Sequence, residues 1–532
     1  MAAALCTAAA AGQTLSTEVV VDRTVRPAER AANRPDGLTP LMTLPGTAPV
    51  ALGTAGYTGV ADIIGSYRPL QPIQWPALPQ ISDYRGYLSA GYFPTYNLGI
   101  SAGYRVLNSD RTRLSVYGQF DGENYKLDDA SIFFNKAKSN IGRIGADFHM
   151  AIGPSSHLRA SLSGGYAKYS YTEVSQSLFD VDLSAAWISR AGRLHYRVAI
   201  DADIDAYGKL NGEDYYIPDV PGIPEPSKIS QQQYALNAGA AYDLGAAFAG
   251  LDVDAAMLVT SEGDLSQSLE KVNLTPFVAY RNNTVDIRAG VRGGFLMGAD
   301  GGSFGLMPDV RLTWSPAGVI SIYGTFTGDT RLNPISSLRQ YSPYVFASRS
   351  YAASRCKFDG EVGINVGSLG GFSMRLFGNY AVADDWLMPE GPDFSPYDIK
   401  GWRAGVELGY QFRRLFHVKA GIQAAPSKEN RAYYRWIDRA KYVINASADV
   451  RPVDRLTLGV KYTFRGGRHA FHGYVDESLG CISQLDFRGD FAVTPALNVF
   501  ADVENLLCRR WYVLPDIRSK KLAGLIGLTL KF

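Results

Sequence analysis

The 532-residue chain carries 53 Lys and Arg against 51 Asp and Glu, so its charge nearly cancels and a strongly basic nucleic-acid surface is excluded. Hydrophobic residues make up 46% yet mean hydropathy is only −0.09, so apolar and polar residues are finely interleaved. Four cysteines, with no CxxC pair, are too few for a disulfide framework and give no structural zinc motif.

In chain order, residues 1–12 come first. The opening MAAALCTAAAAGQ reads as the apolar and small-residue parts of a secretory signal, without the usual basic start, and cleavage after Gly12 would leave Gln13 first. Cys6 follows Leu5 rather than a small residue, which argues against lipoprotein processing. Residues 13–82 form a proline-rich leader. Pro27, Pro35, Pro40, Pro45, Pro49, Pro69, Pro72, Pro76 and Pro79 favour extended backbone over a folded α/β unit. Ile63, Ile64, Tyr67, Leu70, Ile73, Trp75 and Leu78 give this leader apolar anchors, for a partner protein or for the rest of the chain.

From residue 83 to residue 532 one pattern repeats, a period-two strand and then a turn. Leu194, Tyr196, Val198, Ile200, Ala202 and Ile204 face one way, while His195, Arg197, Asp201, Asp203 and Asp205 face the other. Phe372, Met374, Leu376, Tyr380 and Val382 oppose Ser373, Arg375 and Asn379 in the same manner. Helical spacing would mix these sets, so a helical bundle is excluded. Beyond the N-terminus no apolar run reaches the roughly 18 residues of a membrane helix, so a membrane would be crossed with strands.

About 22 such strands are expected, within the range of transmembrane barrels. Short links alternate with longer ones. Asn108 to Asp110, Ala191-Gly192, Asn282-Asn283 and Pro316-Ala317 are short; 208–230, 328–350, 384–399, 425–439, 466–482 and 508–519 are long. Short periplasmic turns and long extracellular loops are the asymmetry of an outer-membrane barrel. Strands with aliphatic rows need lipid, and lipid requires every backbone group to be paired, which only a closed antiparallel sheet achieves. The predicted fold is therefore all-β, a transmembrane antiparallel β-barrel over 83–532 in the cell outer membrane, with the leader periplasmic or threading the lumen.

The last strand places Leu522, Gly524, Ile526, Leu528, Leu530 and Phe532 on one face, ending on an aromatic residue. Such an ending resembles the C-terminal signal of outer-membrane barrels, which implies recognition by the barrel-assembly machinery. Upstream, Asp502 to Tyr512 includes Asn505-Leu506-Leu507 followed by Arg509, Arg510 and Tyr512. That segment resembles the penultimate segment of TonB-dependent receptors, with Leu507 in place of Phe. At the other end, Thr17-Glu18-Val19-Val20-Val21 resembles the Glu-Val-Val-Val run ahead of the plug of those receptors. The resemblance implies a 22-stranded transport barrel and a TonB-like or other periplasmic protein docking on Glu18, Val19, Val20 and Val21 by strand addition. The other reading of the valine run is a plain extended segment. The leader departs from the family pattern, because it does not look like a plug domain; a plugless relative is expected.

For chemistry, His469 and His472 have the spacing of two metal ligands, but no local Cys or carboxylate completes a site, and a hydrated loop is the expected reading. No nucleophile elbow is expected. Catalytic, metal and cofactor sites are therefore assigned to none, and the chain is not read as an enzyme. Cys481 and Cys508 fall near the extracellular end, where an oxidising environment permits a bond that sequence alone does not fix. The charged set expected to line the lumen is Arg197, Asp201, Asp203, Asp205, Arg375, Arg403, Glu407, Lys461, Asp502 and Glu504. Transport of an unidentified solute is the first functional expectation. A structural or assembly component that recruits periplasmic partners through the leader is the second.

Overall fold

The computed structural model describes residues 84–532 apart from stretches in the connections (95–96, 110, 127–135, 154, 172–173, 210–227, 283, 299–300, 318, 339–352, 370, 391–392, 414, 426–439, 473–474 and 515–516). The expected signal and the leader with its Glu18–Val21 run lie outside the described residues.

Twenty-two strands form one antiparallel sheet. In chain order they are β1 (Gly86–Phe93), β2 (Asn97–Asn108), β3 (Thr112–Lys126), β4 (Lys136–Ala151), β5 (Ser156–Tyr171), β6 (Val174–Ala191), β7 (Leu194–Tyr207) and β8 (Ile229–Asp243). Then come β9 (Ala247–Glu262), β10 (Leu265–Arg281), β11 (Val285–Gly298), β12 (Gly301–Ala317), β13 (Ile320–Arg331), β14 (Ser354–Leu369), β15 (Phe372–Glu390) and β16 (Asp393–Phe412). The sheet continues with β17 (Phe416–Ala424), β18 (Tyr442–Val453), β19 (Leu456–His472), β20 (Val475–Ala492) and β21 (Leu497–Glu504). A small separate hairpin, β22 (Tyr512–Leu514) and β23 (Ile517–Arg518), precedes the last wall strand, β24 (Ala523–Lys531). A single helical turn, α1 (Ile335–Leu338), follows β13.

The wall closes on itself. β1 pairs with β2 on one side and with β24 on the other. At that seam Gly86 N–H donates to Phe532 O at 2.7 Å, Phe532 N–H returns to Gly86 O at 3.0 Å, and the Ser89 and Thr529 hydroxyls meet at 2.8 Å. A side chain at Gly527 of β24 would collide with the backbone oxygen of Ala90 on β1, so the seam needs glycine there.

One end of the wall has connections of two to four residues, while those at the other end range from two to 22. Gly153, Gly192 and Gly245 take positive φ (78°, 60° and 107°) in the tight turns, as a chain reversing within so few residues requires. The outer face carries exposed aliphatic side chains such as Ile144, Leu162, Val278 and Leu306. Tyr104, Trp187, Tyr242, Tyr280, Trp314, Phe412 and Phe532 sit exposed near the short-turn rim, the girdle expected where a barrel meets a lipid interface.

Two stretches read from sequence as loops are strands instead. β15 runs to Glu390 and β16 starts at Asp393, where 384–399 was expected to be irregular; β19 and β20 likewise fill most of 466–482. Past the apolar band both faces meet water, so polar strands lose the alternation that marks them. Cys356, Cys481 and Cys508 are free thiols, so the bond considered between Cys481 and Cys508 does not form.

Candidate functional site

The alternation that turns aliphatic rows outward turns polar rows to the opposite face, where side chains reach over an intervening strand. Arg143 on β4 passes over β5, donating to Ser163 Oγ at 3.1 Å and to Asp182 Oδ2 at 2.5 Å, and also binds Asp180; both aspartates lie on β6. Arg288 on β11 joins Asp309 on β12 (2.8 Å) to Asp252 on β9 (2.6 Å). Lys271 on β10 contacts Asp254 on β9 at 2.8 Å. Charges this close to a sheet survive because each is matched by an opposite charge or a hydrogen-bonding group.

Most of the sequence-predicted set joins these networks. Arg375 and Arg403 converge on one carboxylate, Glu361, at 2.6 Å and 3.3 Å. Arg375 Nε also donates to Tyr323 Oη at 2.9 Å, and both guanidiniums stand against the Phe377 ring, 4.9 Å and 5.4 Å from its centroid. Glu407 lies 3.7 Å from Arg375, so three predicted residues belong to one cluster. Asp205 lies opposite both Asp180 and Gln231, Asp203 opposite Asp182 and Gln233, and Asp201 opposite Ser184, forming an aspartate row on β6–β7. Asp205 accepts from Tyr207 Oη at 3.1 Å. Arg197 lies over Gly239, where a Cβ would stand 3.5 Å from its Nε. Lys461 sits opposite Asp486 in register; Asp502 is 3.5 Å from Arg488 Nε, and Glu504 is 3.1 Å from Lys520 Nζ.

Sequence reasoning missed Arg143, Asp180, Asp182, Arg288, Asp309, Glu361 and Lys520. The first six could have been found as the polar partners of exposed aliphatic neighbours in period two. Lys520 could not, because it lies in the connection before β24. There it ties Glu123 of β3 (3.0 Å) to Glu504 of β21. Burial alone would lower the Lys520 ammonium, but the carboxylates of Glu123 and Glu504 outweigh it and hold the group above the usual lysine range.

The connection after β13 turns inward at the long-connection rim, against the ends of β7 and β8. Pro334 opens α1, and the backbone N–H of Ile335 donates to Gln231 Oε1 on β8 at 2.6 Å. Gln231 Nε2 passes the chain of hydrogen bonds to Thr260 Oγ1 on β9 at 2.8 Å. Ile335 packs with Ala167, Tyr169, Leu178, Tyr207 and Ile229, an apolar patch on the same face as the aspartate row.

Two strings fit Gly-x-Ser-x-Gly spacing, Gly99 to Gly103 and Gly301 to Gly305, but both are extended strand (β2 and β12) rather than a strand-to-helix elbow. The Ser303 hydroxyl accepts from Arg355 Nη2 at 2.7 Å. Among the described residues no group of three or more His, Cys, Asp or Glu has metal-holding geometry.

Solved structures share this fold. The chain resembles the FrpB iron transporter from Neisseria meningitidis (10% identity, TM-score 0.65, 89% of this chain and 83% of that one). It also resembles the siderophore receptor PirA from Acinetobacter baumannii (11%, 0.63, 86% and 81%). A third likeness is to the copper transporter OprC (11%, 0.65, 86% and 82%). At such identities the likeness is one of fold. No family model matches the chain, and no curated protein matches it by sequence.

Proposed function

We propose that this chain is an outer-membrane barrel that passes a solute, a counterpart of the TonB-dependent receptors whose motifs it resembles. The observation that carries the reading is the closed 22-strand wall, aliphatic outside and ionic on the opposite face. That partition suits hydrocarbon on one side and water on the other, and open sheet edges, which lipid does not tolerate, are absent from the seam. In this reading Arg197, Asp201, Asp203, Asp205, Arg375, Arg403, Glu407, Lys461, Asp502 and Glu504 line the solute path. The likeness to iron, siderophore and copper proteins supports transport over catalysis. Those cargoes differ, so fold alone does not choose the solute.

The leader 13–82 would lie in the periplasm or lumen, with Glu18–Val21 adding as a strand to a TonB-like partner. Planar-bilayer conductance of the chain with and without 13–82 tests this. An open pore that the leader reduces supports transport. A silent barrel that holds periplasmic proteins through the leader would instead favour the assembly reading, to which the leader's apolar residues also lend support.

A further inference from the structure

We infer that the segment from Leu332 to Leu338 is a built-in constriction that sets the size limit of the barrel's path; the inference rests on the transport reading above. The first ground is path length. β13 ends at Arg331, and four residues later Ile335 bonds to β8. Four residues span about 14 Å at most, whereas following the wall from β13 to β8 crosses five strand spacings, about 24 Å. The gap is closed inside the wall, by the segment together with the Gln231 side chain reaching out to meet it.

The second ground is what lies beneath. Leu178, Tyr207 and Ile229 stand two residues along their strands from Asp180, Asp205 and Gln231, so they share the inward face. Leu178 is 0% and Tyr207 1% exposed, although a water-filled lumen would wet both. Ile335 packs against them. On the other side Leu332 packs on Ala256, Leu258 and Ala353, with Ala235, Leu269 and Leu296 around it.

The third ground is that polar groups are matched as well. Asn333 Nδ2 donates to Ser354 Oγ at 3.0 Å, and Ile335 N–H donates to Gln231 Oε1 at 2.6 Å. A segment held by two apolar clusters and by hydrogen bonds from Asn333 and Ile335 is a fixed part of the inner profile at the long-connection end of the wall. It narrows the path beside the β6–β7 aspartates.

The test uses the full chain in liposomes, with swelling measured in neutral sugars from mono- to tetrasaccharide. The comparison is wild type, the double variant Leu332→Ser/Ile335→Ser, and Ile335→Val as the conservative control. Heat-modifiable gel migration establishes that each is folded. The double variant is expected to admit at least one sugar unit more than wild type, with Ile335→Val unchanged. A folded double variant with the wild-type cut-off overturns the inference, as does a set in which no folded form passes any sugar. If wild type is closed to every sugar and the double variant is open, the constriction stands and constitutive passage through the wild-type barrel falls.

Discussion

Asn505 donates its side-chain amide to the backbone carbonyl of Arg509 at 2.6 Å, folding the connection before β24 back on its own start. The same amide reaches the carbonyls of Lys520 and Lys521, and the Asn505 N–H donates to Asp486 Oδ1 at 2.9 Å. Asn505 also has φ of 55°, a conformation that asparagine tolerates better than most residues. The asparagine of the C-terminal motif is thus a clasp on a connection of 18 residues, 505–522.

Two substitutions separate its two duties. Asn505→Gly keeps the backbone conformation and loses the amide; Asn505→Ala loses both. Alanine is expected to cost about 1 kcal/mol more than glycine, from the left-handed penalty alone. Urea unfolding followed by gel migration checks the order, and equal stability of the two variants would show that the backbone conformation carries no weight.

Lys520 is the cationic hub between β3 and β21. Lys520→Met leaves Glu123 and Glu504 facing each other and is expected to destabilise the barrel by about 2 kcal/mol. Because the lysine value is raised in the folded state, its contribution is complete below the ordinary lysine range and is lost only as pH climbs through the higher folded value. The stability gap between wild type and variant should therefore be constant between about pH 6 and pH 9 and shrink in stronger alkali. A gap that closes near neutrality would contradict the assignment.

Arg143 neutralises two aspartates across a strand. Arg143→Met should cost about 3 kcal/mol, since Asp180 and Asp182 lose their shared cation. Arg143→Lys should recover only part, because one ammonium cannot reproduce two guanidinium bonds in fixed directions. Comparing the double variant Arg143→Met/Asp182→Asn with the single change shows whether the loss comes from exposed like charge.

The division of faces gives the plainest test. Ile144 is 71% exposed at mid-strand on the outer face. Ile144→Arg is expected to cost about 2–4 kcal/mol in a bilayer. Ser161→Lys, on the opposite face in register with Asp147, should leave folding intact. Folding yield into lipid vesicles distinguishes them; equal yields would remove the case for a lipid-facing outer surface.

The wall was legible because each strand must satisfy two solvents at once, and period-two alternation records that demand residue by residue. The number of wall strands and the identity of their short turns follow from it. The hairpin extensions of β15–β16 and β19–β20 escaped, since beyond the apolar band no solvent contrast remains to be recorded. The cluster of Arg375, Arg403 and Glu407 was half visible: the faces were clear, but that Glu361 joins the two arginines follows only from register and contact across strands. The bond from Ile335 to Gln231 spans 104 residues of sequence and leaves no local periodicity, so α1 was unreadable.

Every neighbouring pair in the wall but one is a hairpin between strands consecutive in the sheet. The exception joins β1 to β24. Hairpins can therefore accrue one after another as the polypeptide emerges, each closing a loop of at most 22 residues, whose entropic cost grows only slowly with length. The final weld must wait for Phe532 itself. Without the pairing of β24 with β1 the wall would keep two unpaired margins in an apolar solvent, so closure depends on that one long-range contact.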